Sequence, residues 1–248
     1  MSEKGTVFFP DPDLVGTPRD VHLDYADVWF TTADGVRLHG WWVPQPGCPV
    51  VLWFHGNGGN ISHRLENIAL LWQLVQVQVF IFDYREYGLS QGEITRAGTF
   101  LDAAAAYKCV ITELPVQASD LILFGRSLGT ALALDQAVKN PARALILESA
   151  FTSSQDMMRL YAPYLGHWQP QGRTYDNLSL ISRLTIPVLI IHGEHDEVIP
   201  VAMGRRLYAA APEPKELHII PGAHHNDVYN LGGDAYFSRW RRFIHQIW

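Results

Sequence analysis

Cysteine is scarce: the 248-residue chain holds two, Cys48 and Cys109, so no disulfide framework staples it and no four-thiolate metal site can form within one chain. A reducing, cytoplasmic setting is the expectation. Basic charge is also in short supply. Lys and Arg total 19 against 25 Asp and Glu, and the resulting net charge of −6 argues against nucleic acid or anionic membrane as the main partner, since both need a basic surface. Long apolar runs are missing too. The opening MSEKGTVFFPDPD has no stretch of signal-peptide length, and the most apolar internal segment, Ile68 to Phe82, is broken by Gln73, Gln76 and Gln78, so neither a leader nor an integral membrane segment is expected. There is no repeat, no low-complexity tract and no Ser/Gly linker.

What is present is a core. With 48% apolar and 12% aromatic residues, the chain reads as one globular domain over residues 1–248. Val28 to Thr31 and Val36 to Val43 are β-rich and meet at Asp34-Gly35, a strong turn pair, which predicts an antiparallel hairpin at the start of the sheet. From Val50 onward, strand-length apolar runs alternate with helical patterns, the rhythm of βαβ units on a mostly parallel sheet with helices on both faces. The strands are Val50 to Phe54, Val77 to Phe82, Leu121 to Phe124, Ala144 to Leu147, Pro187 to Ile191 and Glu216 to Ile220. Helices are expected from an Asn60 cap through Ile61 to Val75, from Thr95 to Thr112, from Leu128 to Lys139 and from Tyr236 to Trp248. Residues 149–183 fit no simple period and read as a short cap-like insertion. Its Met157, Met158, Tyr161, Tyr164 and Trp168 form either core or an acyl-binding wall.

Gly125-Arg126-Ser127-Leu128-Gly129 fits G-x-S-x-G in the context that gives the pattern meaning, a strand ending just before it and a helix starting just after it. A serine at that sharp turn projects its hydroxyl above the sheet, and the helix N-terminus aims backbone N–H groups at an oxyanion formed there. A hydroxyl needs an imidazole to take its proton and a carboxylate to hold the imidazole's tautomer. Asp196 follows the strand ending at Ile191. His224 and His225 follow the strand ending at Ile220, and spacing alone does not separate them. Glu148, at the end of its own strand, is a rival acid. Donors for the tetrahedral intermediate come from His55-Gly56-Asn57-Gly58: the amide of Asn57, or failing that Gly58, paired with the amide of Leu128. A phosphate cradle is the weaker reading of these glycines, because no Lys-Ser/Thr follows and Ile61 stands where a dinucleotide fingerprint needs glycine. His192, His195, Asp196, His224 and Asp227 could suggest a metal, but no H-E-x-x-H pair sets two ligands on one element. No cofactor and no metal are expected.

These residues resemble the α/β-hydrolase superfamily, in particular serine hydrolases with an HGN-x-GN loop, a DYRGYG-x-S-x-G segment and a GAGHND loop. The likeness runs from Phe8-Phe9-Pro10, through the segment Thr32 to Trp41, to the histidine loop. It implies the α/β-hydrolase fold, with Ser127 as nucleophile, Asp196 as acid and His225, directly before Asn226-Asp227, as base. Two positions depart from the group's pattern: Glu86 stands for Gly in YRGYG, and His224 replaces the small Gly beside the base. Members of the group often carry an N-terminal membrane anchor; none is evident here, so membrane-lipid and lipidated-protein substrates are not implied.

The expected activity is cleavage of a small-molecule carboxylic ester or thioester through an acyl-enzyme on Ser127. A peptidase or an acyltransferase on the same triad is the alternative within the fold, and a non-catalytic binding protein on a hydrolase scaffold is the alternative outside enzymology. Peripheral lipid contact stays open.

Overall fold

The computed structural model describes residues 5, 7–162 and 174–247. Its elements in chain order are β1 (Phe9–Pro10), β2 (Ala26–Thr31), β3 (Arg37–Val43), β4 (Val50–Phe54), β5 (Gly58–Gly59), α1 (Leu65–Leu70), β6 (Gln78–Phe82), α2 (Arg96–Glu113), β7 (Leu121–Arg126), α3 (Gly129–Lys139), β8 (Ala144–Glu148), α4 (Ser154–Tyr161), α5 (Asn177–Ile181), β9 (Val188–Gly193), α6 (Val201–Ala210), β10 (Lys215–Ile220) and α7 (Val228–Ile247). Eight strands form the main sheet in the order β2-β3-β6-β4-β7-β8-β9-β10; β2–β3 and β3–β6 pair antiparallel and the rest run parallel. The hairpin turns where the sequence places it, with Gly35 at φ 83° and the Thr32 hydroxyl donating to the Asp34 carboxylate at 2.5 Å.

The apolar runs alternate between two cores. In β4, Val50, Leu52 and Phe54 face α2, α3 and α6, whereas Val51 and Trp53 face α1 and α7. A strand buried on both faces needs apolar residues at every position, which is why these segments read as unbroken runs. Among the described residues no helix is long and apolar enough to cross a membrane.

Three details differ from the pattern in the sequence. The helix expected over Ile61 to Val75 enters as a 3₁₀ turn at Ile61–Arg64, capped by Asn60 Oδ1 accepting from the Ser62 amide at 2.9 Å, and leaves as a π turn at Leu71–Val75 that Gln76 ends at φ 61°. The last helix starts at Val228 rather than Tyr236, bent at Gly233 with φ 45°. A further helix, α6, bridges β9 and β10. A small parallel pair, β1 with β5, brings Phe9 opposite Gly58 and so ties the N-terminal segment to the Gly-rich loop after β4. Within residues 149–183, α4 and α5 are joined by a Ser153–Asp176 bridge, while residues 163–173, Tyr164 and Trp168 among them, lie outside the described residues.

Candidate active site

Ser127 occupies the turn between β7 and α3 at φ 52°, a left-handed conformation that side chains rarely adopt. Backbone bonds impose it: its amide donates to the Glu148 carbonyl at 2.9 Å, and its carbonyl accepts from the Thr130 amide at 3.0 Å and the Thr130 hydroxyl at 2.6 Å. Glycine at 129 is a matter of space, since a Cβ there would lie 1.9 Å from the Phe54 carbonyl oxygen. That approach sets the N-terminus of α3, with the amide of Leu128, beside the end of β4.

The sheet edge brings two further loops to this turn. His225, from the loop after β10, accepts the Ser127 hydroxyl at Nε2 over 3.1 Å and donates from Nδ1 to Asp196 at 2.9 and 3.0 Å. Asp196, from the loop after β9, also receives the amides of Val198 and Ile199 at 3.0 and 2.7 Å, and His192 Nε2 lies 3.4 Å away. Burial raises this carboxyl, but the bonds from His192, His225 and Ile199 outweigh it and hold Asp196 well below the usual carboxylate range. The carboxylate therefore stays ionised opposite His225.

Geometry separates the pairs that spacing left open. His224 is exposed and meets Glu197 at 3.2 Å, away from Ser127. Glu148 is fully buried and gives its oxygens to Arg126 Nε at 2.9 Å and the Tyr236 hydroxyl at 2.6 Å. Arg126 then donates from Nη2 to the His225 carbonyl at 2.9 Å and to Asn226 Oδ1 at 3.1 Å, so Glu148 supports the histidine loop through the guanidinium. This brace went unread in the sequence; the one signal was that Arg126 and Glu148 end neighbouring strands.

The Gly-rich loop lies against the serine: a Cβ on Gly56 would be 3.5 Å from that of Ser127. Buried His55 turns the peptides. Its Nδ1 donates to the Gly56 carbonyl at 2.6 Å, while the Asn57 carbonyl accepts from the Phe9 amide at 3.2 Å and the Tyr87 hydroxyl at 2.7 Å. Across a trans peptide the N–H points opposite the carbonyl, so the amides of Asn57 and Gly58 face away from those partners. The Asn57 side chain is spent on the Val7 carbonyl. Burial, with the charge of Arg64 next, pushes His55 down to about 3, and the ring is a neutral brace.

Glu86 takes the φ of 70° that suits the glycine of the related pattern, and its carboxylate accepts the Ile94 amide at 2.8 Å. The residues weighed as metal ligands have protein partners instead: His192 Nε2 with the Ile199 carbonyl at 2.8 Å, and Asp227 Oδ1 with the His224 amide at 2.7 Å. Met157 packs partly against the core on the α3 side, and the Tyr161 hydroxyl reaches the Val198 carbonyl at 2.6 Å, which places the end of α4 beside the Asp196 loop.

Comparison with known proteins follows the same architecture. The family model for serine aminopeptidases of the S33 group matches residues 45–183 and 173–229. The α/β-hydrolase domain-containing protein WAV2 of Arabidopsis thaliana is 35% identical, over 92% of this chain and 81% of its own length. Protein bem46 of Schizosaccharomyces pombe is 32% identical, over 90% and 78%. Among solved structures, the Pyrococcus furiosus esterase Pf2001 superposes with a TM-score of 0.82 at 21% identity, covering 98% of each chain. Esterase RhEst1 of a Rhodococcus species gives 0.71 at 17%, over 90% of this chain and 99% of that one.

Proposed function

This chain belongs to the α/β-hydrolase family, and on that premise we propose that it is a serine hydrolase that cleaves small carboxylic esters or thioesters through an acyl-enzyme on Ser127. The observation that carries the reading is the continuous chain of hydrogen bonds from Ser127 Oγ through His225 to Asp196, at 3.1 and 2.9 Å. His225 takes the hydroxyl proton as Oγ attacks the acyl carbon, and Asp196, held ionised, stabilises the imidazolium. The amides of Leu128 and of Asn57, or failing that Gly58, receive the oxyanion. Collapse expels the alcohol or thiol, which takes the proton from His225. Water, deprotonated by the same imidazole, then releases the acid and frees Ser127. No step calls for a metal or an organic cofactor.

The test does not require the substrate. Intact-mass analysis after exposure to a small fluorophosphonate should show one adduct on wild type and none on Ser127→Ala. Folded wild type that takes no adduct would sink the proposal. The description of the matching family favours one rival, a peptidase; matched ester, thioester and amide substrates decide between them, and a preference for the amide would move the reading to that rival.

A further inference from the structure

A second polar site lies behind the histidine loop. Where α1 and α7 meet the end of β4, a cavity of about 230 Å³ is lined by Trp53, His63, Arg64, Asn67, Arg126, Asn226 and Tyr229; Ser127, Asp196 and His225 are not among its walls. Its floor is unusual for a buried surface. Trp53 is fully buried, yet its indole N–H has no hydrogen-bond partner, and neither has Arg64 Nε–H nor Asn67 Oδ1. Buried polar groups are nearly always satisfied, so these unmet atoms, closed off from solvent within the wall, mark a polar lining that the protein leaves without partners.

Charge names the kind of ligand. Arg64 spends Nη2 on the Gly58 carbonyl, and among the described residues no carboxylate pairs with it. Burial and then the nearby Arg126 push it down to about 10, the mark of two guanidiniums sharing a poorly solvated space. The acids nearby are otherwise engaged: Glu148 pairs with Arg126, Glu66 accepts the Tyr229 hydroxyl at 3.0 Å, Asp11 sits 3.7 Å from His63, and burial pushes Asp83 well above the usual carboxylate range. Two guanidiniums on one cavity, one of them without a carboxylate partner, suit the oxygens of a carboxylate or phosphate.

We propose that this cavity is an oxyanion-binding site, distinct from the Ser127 pocket, that takes the carboxylate or phosphate group of a small ligand through the guanidiniums of Arg64 and Arg126. Two of its walls, Arg126 and Asn226, are the residues that hold the His225 carbonyl side of the loop, so an occupant stiffens the loop that carries the base. The inference does not depend on Ser127 being a nucleophile.

The test is a titration of the full chain, in a chloride buffer of low ionic strength, with inorganic phosphate in one arm and malonate in the other. It is read by calorimetry and by the indole N–H resonance of Trp53, assigned with Trp53→Phe. Saturable binding of either probe at millimolar concentration, with that resonance moving, is the expected result, and the arm that binds tighter names the class. Arg64→Gln should weaken it about tenfold or more, as loss of a charged hydrogen bond does. Should that variant fail to fold, Arg64→Lys, which keeps the charge and loses the planar fork, should weaken it severalfold. Ser127→Ala should bind as wild type. Binding by neither probe, binding indifferent to both Arg64 variants, or binding lost in Ser127→Ala overturns the proposal.

Discussion

Arg85, just past the end of β6, and Arg126, the last residue of β7, are both largely buried, and they serve different ends. Arg85 is closed in by carboxylates. Asp102 on α2 takes its Nε at 2.9 Å and its Nη2 at 2.8 Å, and Asp34 in the β2–β3 turn takes Nη1 at 2.9 Å and Nη2 at 3.1 Å. α2 lies so near that a Cβ on Gly98 would sit 2.5 Å from Arg85 Nε. Arg126 has one carboxylate, Glu148, and gives its remaining bonds to the loop that carries His225. A guanidinium enclosed by acids ties elements of the fold together. One that shares itself with the backbone of the His225 loop sets where that loop stands.

Asp196→Asn is the sharpest way to separate the two clusters. The amide cannot hold the His225 tautomer or stabilise the imidazolium, so kcat on an ester substrate should fall by about four orders of magnitude while the urea midpoint stays near wild type. Glu148→Gln should cost far less activity. An equal loss from Glu148→Gln would make Glu148 the acid and erase the distinction.

The mirror image is Arg85→Met. It leaves Asp102 buried without its cation, and breaking a buried pair on one side costs about 3–5 kcal/mol. Urea unfolding should show that loss, and activity per folded molecule should be close to wild type. A large fall in kcat would place Arg85 with the site instead.

Removing both charges of the other cluster isolates its positioning role. In Arg126→Gln with Glu148→Gln no buried charge is stranded, so stability should change little, while the His225 carbonyl loses its charged donor. Turnover should drop about ten- to a hundredfold with KM held, the size expected when a catalytic group is misplaced by a fraction of an ångström to an ångström. Unchanged turnover would reduce Arg126 to a second fold brace.

The sequence shows one of these clusters better than the other, for a physical reason. Ser127 and Asp196 each follow a continuous apolar run, and His225 follows a mixed strand ending in Ile219-Ile220, so the sheet edge that gathers them can be read before the fold is known. Arg126 finds Glu148 22 residues away and the histidine loop 99 residues away, and nothing local to Arg126 announces either partner. Which of His224 and His225 turns inward is likewise set by the loop, through the Glu197 carboxylate accepting the His225 amide at 3.2 Å. Among the elements, α6 hides because only Met203, Gly204 and Leu207 are buried. Gly204 dilutes the helical pattern, and it is required there, since a Cβ would lie 2.5 Å from His192 Nδ1. The early turns of α7 are masked by Gly232-Gly233, where the helix bends.

The smallest effect tests the outer end of the Arg85 cluster. Arg85 first, and Thr32 after it, hold Asp34 down to about 2. A carboxyl depressed in the folded state binds its proton less readily there than in the unfolded chain. Its contribution to stability is therefore complete above the usual aspartate value of about 4 and is lost as pH falls from there through about 2. The Asp34 side chain is 40% exposed, so solvent screens the pair and the contribution at neutral pH should be about half a kcal/mol. Thermal unfolding of wild type and Asp34→Asn should accordingly differ by a degree or two at pH 7 and converge at the acid end. Curves that stay parallel throughout would mean that Asp34 adds no charge-dependent stability and that Asp102 alone restrains Arg85.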